Sequence, residues 1–424
     1  MTNSLFIGVD VDLKGNQFCV MNFDQHIFFN LKFSNTPEGS HMFVSKLKSI
    51  YDKFHFDELI FCLESTGMYS FHIACFLSSD EYLNSFNSTV YKVNPKVIKQ
   101  YKKSFTDMEK TDPGDAWACA DYARVGRCKF MNPFKGAQFI ALQRLTRQRF
   151  HIAKNLGKEK SYVLNNIFLS YSGLLVLDEK PFSNLFGATS SALIEEFISP
   201  DQIAETPLED LVDFISVKGK NRFKNPIDNI KVLKKAMRAS YRLDKTAYDP
   251  INTAIASSLN FIRVLEAQKK DIDKAILNAV LGLDSNAYHV LLSIRGIGKV
   301  YAAGIIAEIG SIKYFKHNSK LAKYAGLHWK RNQSGKFEQE EKSFSRCSNK
   351  YLRYYIVEAA ASCVRNEFPF LKDFYDKKYS EVNKHQHKRA LVLSARKLVR
   401  LIFGLLHKNQ YYVPLDSDQF SKTS

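Results

Sequence analysis

Apolar and polar positions divide the first hundred residues into short strands and helices. Leu5–Val11 (LFIGVDV), Gln17–Phe23 (QFCVMNF) and His26–Ser34 (HIFFNLKFS) are rich in β-branched and aromatic residues. They are joined by the turn-forming links DLKGN and DQ, which predicts a hairpin meander of three strands. Asp57–Glu64 (DELIFCLE) is an almost unbroken apolar run, the pattern of a strand buried on both faces. Ser88–Asn94 (STVYKVN) reads as a fifth strand. Helices are predicted over residues 38–53, from about Met68, after Pro95, and after Asp112.

The periodicity then changes. Leu142, Leu145, Ile152, Leu156, Val163 and Ile167 recur at three, four or seven residues over 137–170, with Arg149 and Glu159 interrupting the seam. Ile251, Ile255, Ile262, Leu265, Ile272 and Ile276 repeat the pattern further on. Two such stripes predict an antiparallel helical hairpin or coiled coil, and they serve equally as core-facing stripes within one chain. Residues 171–246 between them form an insertion of mixed character. Its later half carries ten cations from Lys218 to Lys245, with Phe223 and Tyr241 interleaved. That run is either a solvated face or a phosphate-tracking surface. Gly296-Ile297-Gly298 falls between two helical stretches, and residues 384–408 form a basic amphipathic helix.

Composition narrows the function classes. With 424 residues the chain has room for two or three domains. Lys and Arg outnumber Asp and Glu by 61 to 43, a net charge of +18 that points to a polyanionic partner. Seven cysteines (19, 62, 75, 119, 128, 347 and 363) show no CxxC or Cys/His spacing, which predicts reduced thiols and no zinc or disulfide framework. No secretory leader and no apolar run of transmembrane length is recognised, so a cytoplasmic protein without a membrane partner is expected.

Candidate chemistry centres on KTDPGDAWACADY, Lys110–Tyr122. Asp112 sits at the predicted N-cap, Pro113 at the first helical position, and Asp115 in the first turn. The plain role for such a pair is capping and dipole compensation. Asp10 lies in the first strand, Asp12 shares its side-chain parity, and Glu64 ends the fourth strand. In a mixed sheet the middle of strand one and the end of strand four can be neighbours, so Asp10, Glu64, Asp112 and Asp115 can meet. Four hard oxygen donors without His or Cys suit Mg²⁺ or Mn²⁺. Two such ions assist both the attacking and the leaving oxygen in phosphodiester chemistry.

The order of elements is ribonuclease-H-like. FIGVDVDLKG, CLESTGMY, VNPKVIKQY and EKTDPGDAWACADYA, in that order, resemble the N-terminal half of the DEDD transposases of bacterial insertion sequences, the family that includes the pilin-gene invertases. LAKYAGL, NQSGK and SFSRCSNKYLR resemble the C-terminal transposase domain of the same family, and Gly296–Gly298 resembles a helix-hairpin-helix turn. Three departures stand out: Asp12 where a small residue is usual, Pro113-Gly114 between the last two acids, and Ser348 in place of Gly.

The resemblance implies an α/β plus all-α chain. A resolvase-type ribonuclease-H-like domain (1–130) precedes a coiled-coil linker (135–285) and a C-terminal helical transposase domain (286–412). It implies that the four acids are the metal-binding tetrad and that Ser334 is a nucleophile forming a phosphoserine link to DNA. Gly296, Gly298, Lys299, Lys330, Arg331, Lys336, Arg346, Lys350 and Arg353 would hold nucleic acid. Further implications are donor and target DNA, a guide RNA encoded by the element, a dimer or tetramer, and a nucleoid-associated location. The rival readings are a metal-dependent nuclease or junction resolvase that uses water, and a binding module with a dead site.

Overall fold

A computed structural model describes residues 3–65, 67–105, 110–130, 133–328, 333–334, 337–338 and 348–414. The chain separates into two compact units, residues 1–143 with 283–424, and residues 144–282.

The first unit is built on a five-stranded mixed sheet. Its strands are β1 (Ser4–Val11), β2 (Gly15–Met21), β3 (Ile27–Ser34), β4 (Glu58–Glu64) and β5 (Asn87–Val93), in the spatial order β3-β2-β1-β4-β5. β1, β2 and β3 pair antiparallel, whereas β4 and β5 join parallel to β1. This arrangement is compatible with a ribonuclease-H-like fold. The parallel joins require crossovers, and these are supplied by α1 (Pro37–Tyr51), then by α2 (Ser70–Ser79) with the short α3 (Glu81–Asn84). Two further helices follow β5, α4 (Pro95–Lys102) and α5 (Asp112–Arg124).

Strand parity sorts the core into two layers. Leu5, Ile7 and Val9 pack with Phe18, Phe43, Leu47 and Phe61 on the α1 side. Phe6, Cys19, Ile60 and Cys62 face Ala116, Cys119, Ala120 and Ala123 of α5. The interior strand β4 is buried on both faces, as its apolar run predicts. Cys19, Cys62, Cys119 and Cys128 are free, buried thiols of this second layer, and burial pushes the Cys62 thiol well up. They act as small apolar packing groups.

The second unit holds most of α6 (Ala137–Ser170) and of α12 (Lys245–Leu292), the latter interrupted by non-helical Asp284. Between them lie α7 (Gly173–Val176), α8 (Ala188–Glu196), α9 (Pro200–Glu205), α10 (Leu208–Gly219) and α11 (Pro226–Arg238). Val163, Ile167, Ile255, Leu259 and Ile262 share one core with Leu193, Ile215 and Leu233, so residues 171–246 fold onto the two long helices. Arg149 meets Asp273 and Lys160 meets Glu266, each at 2.7 Å, so α6 and α12 run antiparallel. Much of the basic run is neutralised or bonded locally. Lys231 pairs with Asp228, Lys235 with Glu179 and Arg242 with Asp201, and Lys234 Nζ donates to the Thr206 carbonyl.

The C-terminal part of the first unit comprises α13 (Lys299–Ile309), α14 (Asn318–Tyr324), the two-residue strands β6 (Gln333–Ser334) and β7 (Phe337–Glu338), α15 (Lys350–Arg365), α16 (Pro369–Ser380) and α17 (Gln386–Lys408). Glu308, fully buried on α13, organises this region. Lys135 Nζ donates to its backbone carbonyl at 2.7 Å, while Gln143 and Asn349 side chains donate to its carboxylate at 3.0 and 2.7 Å. Among the described residues no helix is long and apolar enough to cross a membrane.

Candidate active site

The register of the sheet brings two of the acids together. Gly8 pairs with Cys62 and Val9 with Leu63, so one further step sets Asp10 beside Glu64 at the ends of β1 and β4. Their parity is that of Gly8 and Cys62, which places both on the α5 side. Asp12 lies beyond the end of β1 and is exposed, so Asp10 is the inward acid of that pair.

α5 supplies the other two acids, and its cap differs from the expectation. Thr111, not Asp112, is the N-cap: its Oγ1 accepts from Gly114 N at 3.2 Å. Asp112 is the first helical residue and Pro113 the second. Thr111 has the hydroxyl and extended backbone that a cap requires, so the Asp112 carboxylate is released from capping. The start of α5 is tied to the sheet edge by Asn30, whose Nδ2 donates to the Pro113 carbonyl at 3.0 Å while its Oδ1 accepts from Gln17 at 2.7 Å.

Burial, reinforced by Asp115, Glu64 and Asp112, pushes the Asp10 carboxyl up from 3.8 to about 6. Burial and Asp115 also raise Glu64, opposed by the charge of Lys102. Mutual repulsion of this kind means that the four carboxylates share one electrostatic neighbourhood. The two acids of α5 are each turned onto a lysine. Lys32 of β3 meets Asp112 at 2.9 Å, and Lys102 of α4 pairs closely with Asp115. Among the described residues no three acids stand close enough to hold an ion as they are. The donor set nevertheless fits a hard divalent cation: four carboxylates, Asp10 under-compensated, and two of the rest held only by displaceable ammonium groups.

Lys32 and Lys102 were not singled out from the sequence. The signal was present in VNPKVIKQYKK, where Lys96, Lys99, Lys102 and Lys103 recur at helical spacing. Tyr101 fixes Lys102 in place: its hydroxyl donates to the buried Asp121 of α5, which also holds Arg124.

The other expected residues divide. Gly296 has φ +97, and a Cβ there would lie 2.5 Å from Cys363 Cα, so this glycine is required for packing against α15. Gly298 and Lys299 are exposed at the start of α13. Ser334 lies in β6, paired with Phe337 of β7, and its side chain falls outside the described residues. Lys330, Arg331, Lys336 and Arg346 lie outside them altogether. Lys350 opens α15 with its ammonium 5.0 Å from the Tyr351 ring centroid. Arg353 and Ser348 both approach Gly326, whose φ of +72 and missing Cβ leave room for the Ser348 side chain. The unusual serine is thus accommodated by a neighbouring glycine.

Comparison with known proteins matches two separate stretches of the chain. Residues 7–168 match a DEDD-type family model described as Transposase, and residues 288–376 match the Transposase IS116/IS110/IS902 family. The chain is similar to the "Insertion element IS116 uncharacterized 44.8 kDa protein" of Streptomyces clavuligerus, 23% identical over 336 residues, which is 78% of this chain and 80% of that protein. It is also similar to the "Insertion element IS110 uncharacterized 43.6 kDa protein" of Streptomyces coelicolor, 29% identical over 168 residues, or 39% of this chain and 38% of that one.

Proposed function

The chain belongs to the DEDD transposases of insertion sequences, and on that premise we propose that it cleaves and exchanges DNA strands during transposition of its element. The observation that carries this reading is the register of β1 and β4, which sets Asp10 beside Glu64 on the side where α5 brings Asp112 and Asp115. Such a concentration of charge serves a cation-dependent reaction on a phosphodiester.

Asp10, Glu64, Asp112 and Asp115 would hold Mg²⁺ or Mn²⁺, which when bound supplies charge for the developing phosphorane and activates the attacking oxygen. Ser334 is the nucleophile in this reading. Its Oγ forms a bond to the scissile phosphorus, its proton passes to a nearby base, and the P–O3′ bond breaks. The departing oxygen takes up a proton to leave a free 3′-hydroxyl. A second 3′-hydroxyl then attacks the 5′-phosphoserine, joins the strands and releases the serine. Lys330, Arg331, Lys336, Arg346, Lys350 and Arg353 would position phosphates around the serine loop, with Gly298 and Lys299 contributing a further contact. An element-encoded guide RNA and a homo-oligomer complete the proposal.

The test uses purified protein with its element-end DNA, the flanking RNA and Mg²⁺. A covalent protein–DNA adduct on a denaturing gel is expected for the wild type and absent for Ser334→Ala and Asp10→Asn. Cleavage that proceeds without an adduct and is untouched by Ser334→Ala would replace this mechanism with hydrolysis by water.

A further inference from the structure

A second feature adjoins the acids. A cavity of about 530 Å³ opens beside Glu64 and Asp115, and its other wall is α4 and the segment around it. Lys96, Lys99, Lys102 and Lys103 of that wall line it, with Lys110 and Phe105 at its edge. Lys99 lies three residues from Lys96 and Lys102 and four from Lys103, so the four share one side of the helix. Like charges at that spacing destabilise a helix by about 0.2–0.5 kcal/mol per pair. Among the described residues only Lys102 has an acidic partner, and that partner is Asp115. A surface that gathers uncompensated cations around two carboxylates is suited to a polyanion that must come close to those carboxylates. Phe105 is exposed at the rim, braced edge-on by Tyr101 and Trp117, and offers a flat apolar surface of the kind on which an unpaired base stacks. The concave, aromatic-edged shape suits a strand whose bases are unpaired.

Resting on the transposase reading, we infer that this cavity is where a single DNA strand runs up to the acids, and that Lys102 is a switch between Asp115 and the strand's phosphate. Without a divalent ion, the Lys102 ammonium neutralises Asp115. With Asp115 and its neighbours holding an ion, Lys102 would be released toward the cavity and its charge would turn to a phosphate. Lys99 and Lys103, one turn apart, track the next phosphates along the strand. Lys102 is therefore a positioning residue: it competes with the ion for Asp115 and couples ion binding to strand binding. The lysine side chain is suited to this, because its single mobile charge exchanges one oxygen partner for another without a fixed fork geometry.

The experiment measures two affinities on the full-length protein. Mn²⁺ binding is followed by electron paramagnetic resonance, and binding of fluorescent dT12 and U12 by anisotropy, the latter in a calcium buffer across a salt series. Lys102→Met keeps the apolar stem and removes the charge. It is expected to bind Mn²⁺ about fivefold more tightly while binding dT12 more weakly, and Lys102→Arg to restore both toward wild type. Lys99→Ala with Lys103→Ala is expected to weaken dT12 about tenfold at low salt and to flatten the salt dependence by about 1.4 in log–log slope. Unchanged or weaker Mn²⁺ binding in Lys102→Met, or weakening confined to U12, overturns the inference. Glu64→Gln separates the two levels of the argument. If that variant fails to weaken Mn²⁺, the acidic cluster is not the ion site and the transposase reading of it fails too. If it weakens Mn²⁺ while Lys102→Met does not tighten it, only the switch is overturned.

Discussion

Gly8 of β1 and Ala116 of α5 approach so closely that a Cβ at residue 8 would lie 2.0 Å from the Ala116 carbonyl oxygen and 2.3 Å from Ala120 N. Asp10 stands two residues beyond this contact on the strand, and Asp115 one residue before it on the helix. The glycine thus sets how near the acids of the sheet and the helix can come. Gly8→Ala must push α5 outward against backbone, which no rotamer change relieves. We expect a loss of about 3 kcal/mol in stability and weaker Mn²⁺ binding, read by urea unfolding and by spin resonance. Wild-type ion affinity in a folded Gly8→Ala protein would show that the spacing does not matter.

Thr111 caps α5 and thereby leaves Asp112 free. Thr111→Ala is expected to cost about 1 kcal/mol, and to move the Asp112 carboxylate to the vacated cap role. Ion affinity should fall with stability, and Thr111→Ser should retain both. Calorimetric titration with Mn²⁺ on the three proteins checks this. Loss of stability with full ion affinity would mean that Asp112 is not needed as a ligand.

Asp10 gives a pH signature. Its folded-state value of about 6 lies above the ordinary 3.8, so between those values the folded chain binds the proton more tightly than the unfolded chain does. Its contribution to stability is therefore present below about pH 4 and is lost as pH rises through 6. Asp10→Asn removes this dependence. In chelator at pH 7 the variant should exceed the wild type by about 1 kcal/mol, allowing for solvent screening at a half-buried group. At pH 4 the two should converge. A gap of the same size at both pH values, measured by urea midpoints, would contradict the raised Asp10 carboxyl.

Much of this is legible in the sequence because side-chain parity and helix spacing are local properties. The apolar runs of β1 and β4 place Asp10 and Glu64 at strand ends, and the helix start after Lys110 places Asp112 and Asp115. Their convergence is a matter of register between β1 and β4, which no local pattern specifies. The identity of the cap was missed because Thr111 and Asp112 are both good N-cap residues, and only backbone geometry separates them. The lysine partners were missed for a related reason. Lys32 and Lys102 are 80 and 13 residues from the acids they meet, and a lysine on a strand or helix surface looks the same whether or not an acid faces it. Gly296 reads as a phosphate-binding turn, and the structure adds a constraint from Cys363, a contact made across 67 residues of chain.

Glu308 and Asn349 join the helices of the C-terminal region. Glu308 is fully buried, and its carboxylate accepts from Asn349 and Gln143, while Asn349 Oδ1 also caps α15 through Tyr351 N and Leu352 N. Glu308→Ala removes the carboxylate to which the Gln143 and Asn349 amides donate and should cost about 3 kcal/mol. Glu308→Gln, which keeps one acceptor oxygen, should cost less. Chemical unfolding of both variants, read at the transition of the first unit, tests the ranking.

The first unit is made from two stretches of chain, and this bears on the order in which it is born. Asp10, Glu64, Asp112 and Asp115 all leave the ribosome before residue 116, and the sheet that gathers them is complete by Val93. The bonds from Lys135 and Gln143 to Glu308 must wait until the 139 residues of the second unit have been synthesised. Domains form in order of synthesis at roughly 5–20 residues per second. The nascent chain therefore carries the strands and helix that bear the four acids for many seconds before Ser334 is made. A chain cut short in that interval would bear the four acids without Ser334, with Lys32 and Lys102 already present to pair with Asp112 and Asp115.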